Sequence, residues 1–240
     1  DGWKYLMSLG VSQGVVLFIS FFFLEKGLKL NPSIRCAVIG IKAGFPIFIL
    51  HSIGSVFTVG NSFLLGFFVS PEIVAYFSSA EKIARTAAMT LDPIRTAMFP
   101  RLSKSITMDL SATRSSTTRV ALVMVLIGIF LSLVLVLAAP LIITILFGSA
   151  FSPAVACLRI LGLLPVVLAV NGSFGVLWIL PRGKEKSCIP ILSGAIMITI
   201  VLSYILAPNF AALGMSWAVL SAEVFVATAF FWIFIRDVSA

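Results

Sequence analysis

The sequence predicts an all-α, polytopic transmembrane helix bundle of about seven spans. Composition is the first reason. Hydrophobic residues make up 60% of the 240, only 11% are charged, and the mean hydropathy is +1.15, far from the balance of a water-soluble domain. The second reason is a series of apolar runs, each long enough to cross a bilayer at about 20 residues per span. The third is where the charge falls: the net +8 comes from bases scattered in short segments between those runs. Such spacing argues against nucleic acid as a partner, because the bases do not cluster among exposed aromatics.

The first run covers about Leu6 to Leu24 and ends at Glu25-Lys26-Gly27, before a short basic linker. The second extends from about Ile39 to Val69 and contains Gly44, Pro46, Gly54, Gly60 and Gly66. Proline removes a helix hydrogen bond and glycine weakens a helix interior, so a bent span is expected, with Gly44, Pro46, Gly54 and Gly60 as hinge candidates. Its face of His51, Ser55, Thr58 and Ser62 suits either close helix packing or a cavity wall. The third span, Glu72 to about Ile94, is interrupted by Glu81, Lys82 and Arg85. From Thr96 to Arg119 the chain turns polar, forming the longest connection, in water or along the headgroups.

The fourth span, Val120 to Phe147, carries no charge and is expected to face lipid, with a kink near Pro140. Gly148 to Pro153 turns the chain into a fifth span that runs to about Leu180 and carries Arg159 and Asn171. The basic turn Arg182-Gly-Lys-Glu-Lys leads to the sixth span, Cys188 to Leu206. After the short Ala207-Pro-Asn-Phe turn, the seventh, Ala211 to Ile235, contains Glu223.

The distribution of bases sets the orientation. Lys26, Lys29, Arg35, Lys42, Arg95, Arg101, Lys104, Arg114, Arg119, Arg182, Lys184, Lys186 and Arg236 fall on one side, and only Lys4 on the other. The positive-inside rule then places the C-terminus in the cytoplasm. Lys82, Arg85 and Arg159 are left within the membrane. Deleting the third span from the topology would destroy the asymmetry, so the count argues for that span despite its charges.

On a helix of 3.6 residues per turn, Glu81, Arg85, Ala88, Asp92 and Arg95 share one narrow face. A charge near the bilayer centre costs at least about 2.5 kcal/mol on insertion scales, so this face must meet protein or a watery cavity. Glu81 precedes Arg85 by four residues and Asp92 precedes Arg95 by three, both spacings that allow pairing along a helix. One reading is therefore self-neutralisation. The other is a polar route in which Lys82, Arg85 and Arg159 meet an anion, with Glu223 pairing with Lys82 or Arg159. Arginine presents a planar fork to phosphate oxygens and lysine a mobile charge, so the three suit a pyrophosphate.

Several blocks together resemble a known family. Lys42-Ala-Gly-Phe-Pro-Ile-Phe, the NSFLLG run from Asn61 to Gly66, Val74-Ala-Tyr-Phe-Ser-Ser-Ala-Glu-Lys-Ile, and Asp92-Pro-Ile-Arg-Thr-Ala-Met-Phe-Pro-Arg-Leu occur in order. In these the chain resembles the Wzx-type O-antigen and polysaccharide flippases of the multidrug/oligosaccharidyl-lipid/polysaccharide exporter superfamily. The resemblance implies two six-helix lobes around a cavity. Residues 1–38 would then supply the last helix of the first lobe with its cytoplasmic linker, and residues 39–240 the six-helix second lobe. The chain begins at Asp1 without a signal pattern, so its natural N-terminus is expected to lie further upstream.

The resemblance also implies a function: moving a polyprenyl-pyrophosphate-linked oligosaccharide, an O-antigen or other repeat unit, from the cytoplasmic to the outer leaflet of the bacterial inner membrane. Asn61, Lys82, Arg85 and Arg159 are the cavity candidates, and Glu81, Asp92 and Glu223 the charge partners or carriers of a coupling ion. Membrane lipid, the missing lobe, a polysaccharide polymerase and glycosyltransferases are the implied partners. No cofactor or metal is implied, and Cys36, Cys157, Cys188 and the single His51 show no ligand spacing. Alternatives are a multidrug or other lipid-linked-substrate exporter of the superfamily, and a membrane-embedded polysaccharide biosynthesis enzyme. The outer turns are too short, and too poor in His, Asp and Glu, for general acid-base catalysis, and no G-x-x-x-x-G-K-[ST] run is present for ATP hydrolysis.

Overall fold

The computed structural model describes residues 60–106 and 110–239 continuously, together with scattered positions between residues 11 and 52. The chain divides into two units, Asp1–Phe45 and Pro46–Ala240. In the first, the described positions, among them Val11, Val15, Val38, Ile41 and Phe45, are helical and exposed. Most of the expected first span and about half of the second, including Pro46 and Gly54, lie outside the described residues. Gly44 and Gly60 are described, and both are helical.

In the second unit the described residues are helical almost throughout, with no strand among them. Residues 60–65 end a helix, and α1 (Pro71–Met89) follows after a short turn. The proline at the start of α1 costs no hydrogen bond, since the first-turn N–H groups are unpaired anyway. Phe77, Ala80, Glu81, Ala84 and Ala88 form its buried face, at near-helical spacing. Three alanines in that row let neighbouring backbones come close.

Prolines set the breaks that follow. Pro93 has no N–H for the carbonyl four residues back and its ring crowds that carbonyl; α1 accordingly stops at Met89, and α2 (Asp92–Ile106) begins after Thr90 and Leu91. The same rule places the gap between α5 (Ala154–Leu161) and α6 (Leu164–Asn171), because Pro165 follows Leu161 by four. Pro140 accounts for the interruption at Ala138 between α3 (Leu110–Leu137) and α4 (Ala139–Phe147), as expected from the sequence. The polar connection from Thr96 to Arg119 is thus largely helix, the end of α2 and the start of α3.

α3 is not simply a lipid-facing span. Leu122, Leu126, Ile129, Phe130, Leu133 and Leu137 are exposed on its outer side, whereas Thr113, Thr117, Ala121, Met124, Gly128, Ser132 and Leu135 form a buried seam. That seam crosses α6 closely. A Cβ on Gly128 would lie 2.9 Å from both the Pro165 carbonyl oxygen and the Val166 Cα. Ser132 Oγ accepts a 3.3 Å hydrogen bond from the Val166 N–H, one of the first-turn donors that α6 cannot satisfy itself.

Beyond α6 the chain widens into a π-helical segment, Gly172–Ile179, then a short turn through Arg182. α7 (Cys188–Ser239) is two helical arms joined at Ala211, whose φ of 48° and ψ of −126° are non-helical. The arms, residues 188–210 and 212–239, lie against each other: Ser203 Oγ is 2.9 Å from Met215 Sδ, and Gly194 faces the Phe225 ring. Among the described residues, three stretches are long and apolar enough to cross a membrane: Ala112–Leu137, Ala154–Arg182 and Glu185–Asp237, the last folded back at Ala211. α1 is not among them because it carries Glu72, Glu81, Lys82 and Arg85. Arg182 and Lys184 grip Asp237 at 2.6 and 2.8 Å, pinning the turn before α7 to the end of that helix. Cys157 and Cys188 are buried and unpaired, packed as ordinary apolar side chains.

The hairpin makes a contrast between two glycines. A Cβ on Gly214 would sit 2.4 Å from the Leu206 carbonyl oxygen, a backbone atom that cannot turn aside. One on Gly194 would approach only the Phe225 ring, at 3.3 Å. Gly214→Ala is expected to destabilise the protein by about 1–3 kcal/mol or more, whereas Gly194→Ala is nearly neutral. Thermal unfolding in detergent, followed by size-exclusion of the surviving fraction, compares them; equal midpoints would contradict the close approach of the arms.

Candidate functional site: a buried charge relay

The charged face of α1 is the centre of the polar interior. Glu81 Oε1 accepts hydrogen bonds from Asn61 Nδ2 at 2.8 Å and from Arg85 Nε at 3.0 Å. Arg85 Nη1 reaches across to Glu223 Oε1 at 3.2 Å. Glu223 Oε2 in turn accepts from Asn171 Nδ2 at 2.9 Å. The relay Asn61–Glu81–Arg85–Glu223–Asn171 therefore crosses four segments: helical residues 60–65, α1, the C-terminal arm of α7, and the end of α6. Its side chains are shielded, at 7% exposure for Glu81, 16% for Arg85 and 5% for Glu223.

Helical spacing delivers the first contact, since Glu81 lies one turn before Arg85. Tertiary packing delivers the second. Ala84 and Ala88 keep α1 low where it meets α5, α6 and α7, so the Glu223 carboxylate reaches a guanidinium 138 residues away in sequence. Two carboxylates around one guanidinium leave the ionised cluster one negative charge in excess. Two buried atoms, Arg85 Nη2 and Asn171 Oδ1, have no hydrogen-bond partner among the described residues.

The expected five-residue face is split by the Pro93 break. Glu81 and Ala88 are buried and Arg85 partly buried on α1, while Asp92 and Arg95 fall on α2, where they pair with each other and the Asp92 side chain is 52% exposed. Lys82 and Arg159 are exposed, on α1 and α5. Glu223, expected opposite one of those two, instead takes Arg85 and Asn171. Asn171 was legible only as a lone amide in an apolar span, and its partnership with a carboxylate has no local signal.

Removing the shared cation tests the relay. Arg85→Ala leaves two buried carboxylates facing each other and is expected to cost about 3–5 kcal/mol, with a matching fall in membrane abundance. Lys82→Ala, one residue along the sequence outward, should leave stability unchanged. Glu81→Ala/Arg85→Ala should recover little, because Glu223 remains without its cation. Unfolding midpoints of the three variants decide this, and full recovery in the double variant would show that Glu223 does not depend on Arg85.

Comparison with known proteins agrees with the blocks read from the sequence. Residues 3–106 match the family described as polysaccharide biosynthesis protein. A protein of Shigella dysenteriae described as "Putative O-antigen transporter" is 29% identical over 189 residues, 79% of this chain and 47% of that relative. One of the same description from Escherichia coli (strain K12) is 28% identical over 209 residues, 87% of this chain and 50% of the relative. No solved structure matches. The chain spans about half the length of the curated relatives it matches. It is an all-α membrane protein similar, over most of its length, to these two proteins described as O-antigen transporters, with the polysaccharide biosynthesis family match across residues 3–106.

Proposed function

We propose that this chain supplies the second lobe of an inner-membrane flippase, which carries a polyprenyl-pyrophosphate-linked oligosaccharide from the cytoplasmic to the outer leaflet by alternating access. Its C-terminus faces the cytoplasm in this reading, in line with the thirteen-to-one split of bases. The similarity to O-antigen transporters supports the substrate class. The observation that carries most weight is the buried relay, since ionisable groups on a span are costly and mark transport routes.

Within that route the residues divide the work. Lys82 and Arg159, exposed on α1 and α5, attract the pyrophosphate, and Arg85 offers its remaining Nη2 donor. Asn61 positions Glu81. Glu81 and Glu223 carry the excess negative charge, and with Asp92 are the groups available to a coupling cation. The lipid tail stays in the bilayer while the bend around Gly44 and Gly60, with Pro46 and Gly54 between them, changes between the inward-open and outward-open states.

A second reading, export of a cationic solute, draws on the two carboxylates that meet a single guanidinium. One experiment separates them. The full-length gene is expressed in a flippase-null host, and surface polysaccharide and ethidium efflux are both measured. Flipping predicts restored polysaccharide and unchanged efflux, with Lys82→Ala/Arg159→Ala lowering polysaccharide at normal membrane abundance. Efflux without polysaccharide would replace the flippase reading by the second. Normal polysaccharide from the double variant would remove those two bases from the site.

A further inference from the structure

A second polar site, apart from the relay, lies between α2 and the π segment. A pocket of about 490 Å³ is lined by Asp92, Arg95, Thr96, Phe99 and Val176. Its volume falls within the range of small-molecule sites, roughly 300–1,000 Å³. We propose that this pocket receives a sugar ring of the transported oligosaccharide at the cytoplasmic mouth of the route, an inference that rests on the flippase reading.

The chemistry of the walls selects the ligand. Arg95 and Asp92 are paired, so a guanidinium donor and a carboxylate acceptor stand side by side. Arg95 Nε is buried and has no hydrogen-bond partner among the described residues. A sugar hydroxyl both donates and accepts, and two adjacent hydroxyls match a neighbouring acceptor and donor. The Thr96 hydroxyl is spent on the Asp92 carbonyl oxygen, to which it donates at 2.9 Å, and leaves recognition to the Asp92–Arg95 pair. Phe99, 36% exposed, and Val176 supply an apolar wall for the C–H face of a ring. A free phosphate fits less well: Asp92 would repel it and already neutralises Arg95. An isoprenoid tail fits worse, since it would strand the polar atoms without partners.

The guanidinium is placed by a glycine on another element. A Cβ on Gly172, the first residue of the π segment, would lie 2.7 Å from Arg95 Cδ and Nη1. A side chain at that position would push Arg95 out of the place it holds.

The test uses the full-length protein in inverted membrane vesicles, with native cysteines removed and Thr96→Cys as reporter. Thr96 is exposed and its hydroxyl bonds only its own helix, so the substitution is tolerated. Maleimide labelling is timed with lipid-linked oligosaccharide extracted from a flippase-null host, or with bare polyprenyl pyrophosphate, and flipping is assayed in the same vesicles. The sugar-bearing lipid should slow labelling several-fold and the bare lipid should not, and Asp92→Asn or Phe99→Ala should abolish the protection. Equal protection by both lipids would overturn the proposal in favour of a phosphate contact. Absence of protection also overturns it; if flipping persists then, the flippase reading stands without this pocket, and if flipping is absent too, both fall.

Discussion

An arginine shielded among packed helices cannot shed its proton, so the surrounding elements must supply it with partners. Glu81 is there by helical spacing. Glu223 has to be carried in by the last helical arm, and each carboxylate then needs a further donor, which Asn61 and Asn171 provide. Five side chains on four segments are thereby held in one register. The alanines of α1 serve the same end, because only small residues let α5, α6 and α7 close in on its polar face. With its ion pairs made the relay is tolerable; with a member missing it becomes a liability, since an unpaired buried charge loses solvation and gains nothing.

Proline placement decides which charges join the relay. Because Pro93 ends α1 at Met89, Asp92 and Arg95 leave the face that Glu81 and Arg85 share, and form a separate pair beside the π segment. Pro165 acts on the opposite wall, where the break before α6 lets Ser132 satisfy the Val166 N–H. The Asp92–Arg95 pair and the Ser132–Val166 contact consequently both lie at the starts of helices. Gly128, Gly172 and Gly214 mark points where a backbone or guanidinium comes too near for a side chain.

The fold class was legible because composition and apolar run length follow directly from the demands of a bilayer, and four of the breaks lie at prolines or at the Gly148 turn. The Glu81–Arg85 pair was legible from a spacing of four. Glu223 was not: its partner lies 138 residues away, and nothing local distinguishes Arg85 from Lys82 or Arg159 as the cation it will meet. Drawing Asp92 and Arg95 on the same face failed for a different reason. A helical wheel assumes an unbroken helix, and Pro93 interrupts it. The seam of α3 was hidden by uniform hydrophobicity, since lipid-facing and helix-facing leucines look alike in sequence.

The claim that one guanidinium ties α1 to the last arm of α7 is tested most directly by a double-mutant cycle. Arg85→Met, Glu223→Gln and the combination would be unfolded in lipid nanodiscs beside the unmodified full-length protein. Coupled residues predict that the double variant loses far less stability than the two single losses added together, with an interaction energy of about 1–3 kcal/mol. Additivity within about 0.5 kcal/mol would contradict the account, leaving Arg85 and Glu223 as neighbours that do not support each other.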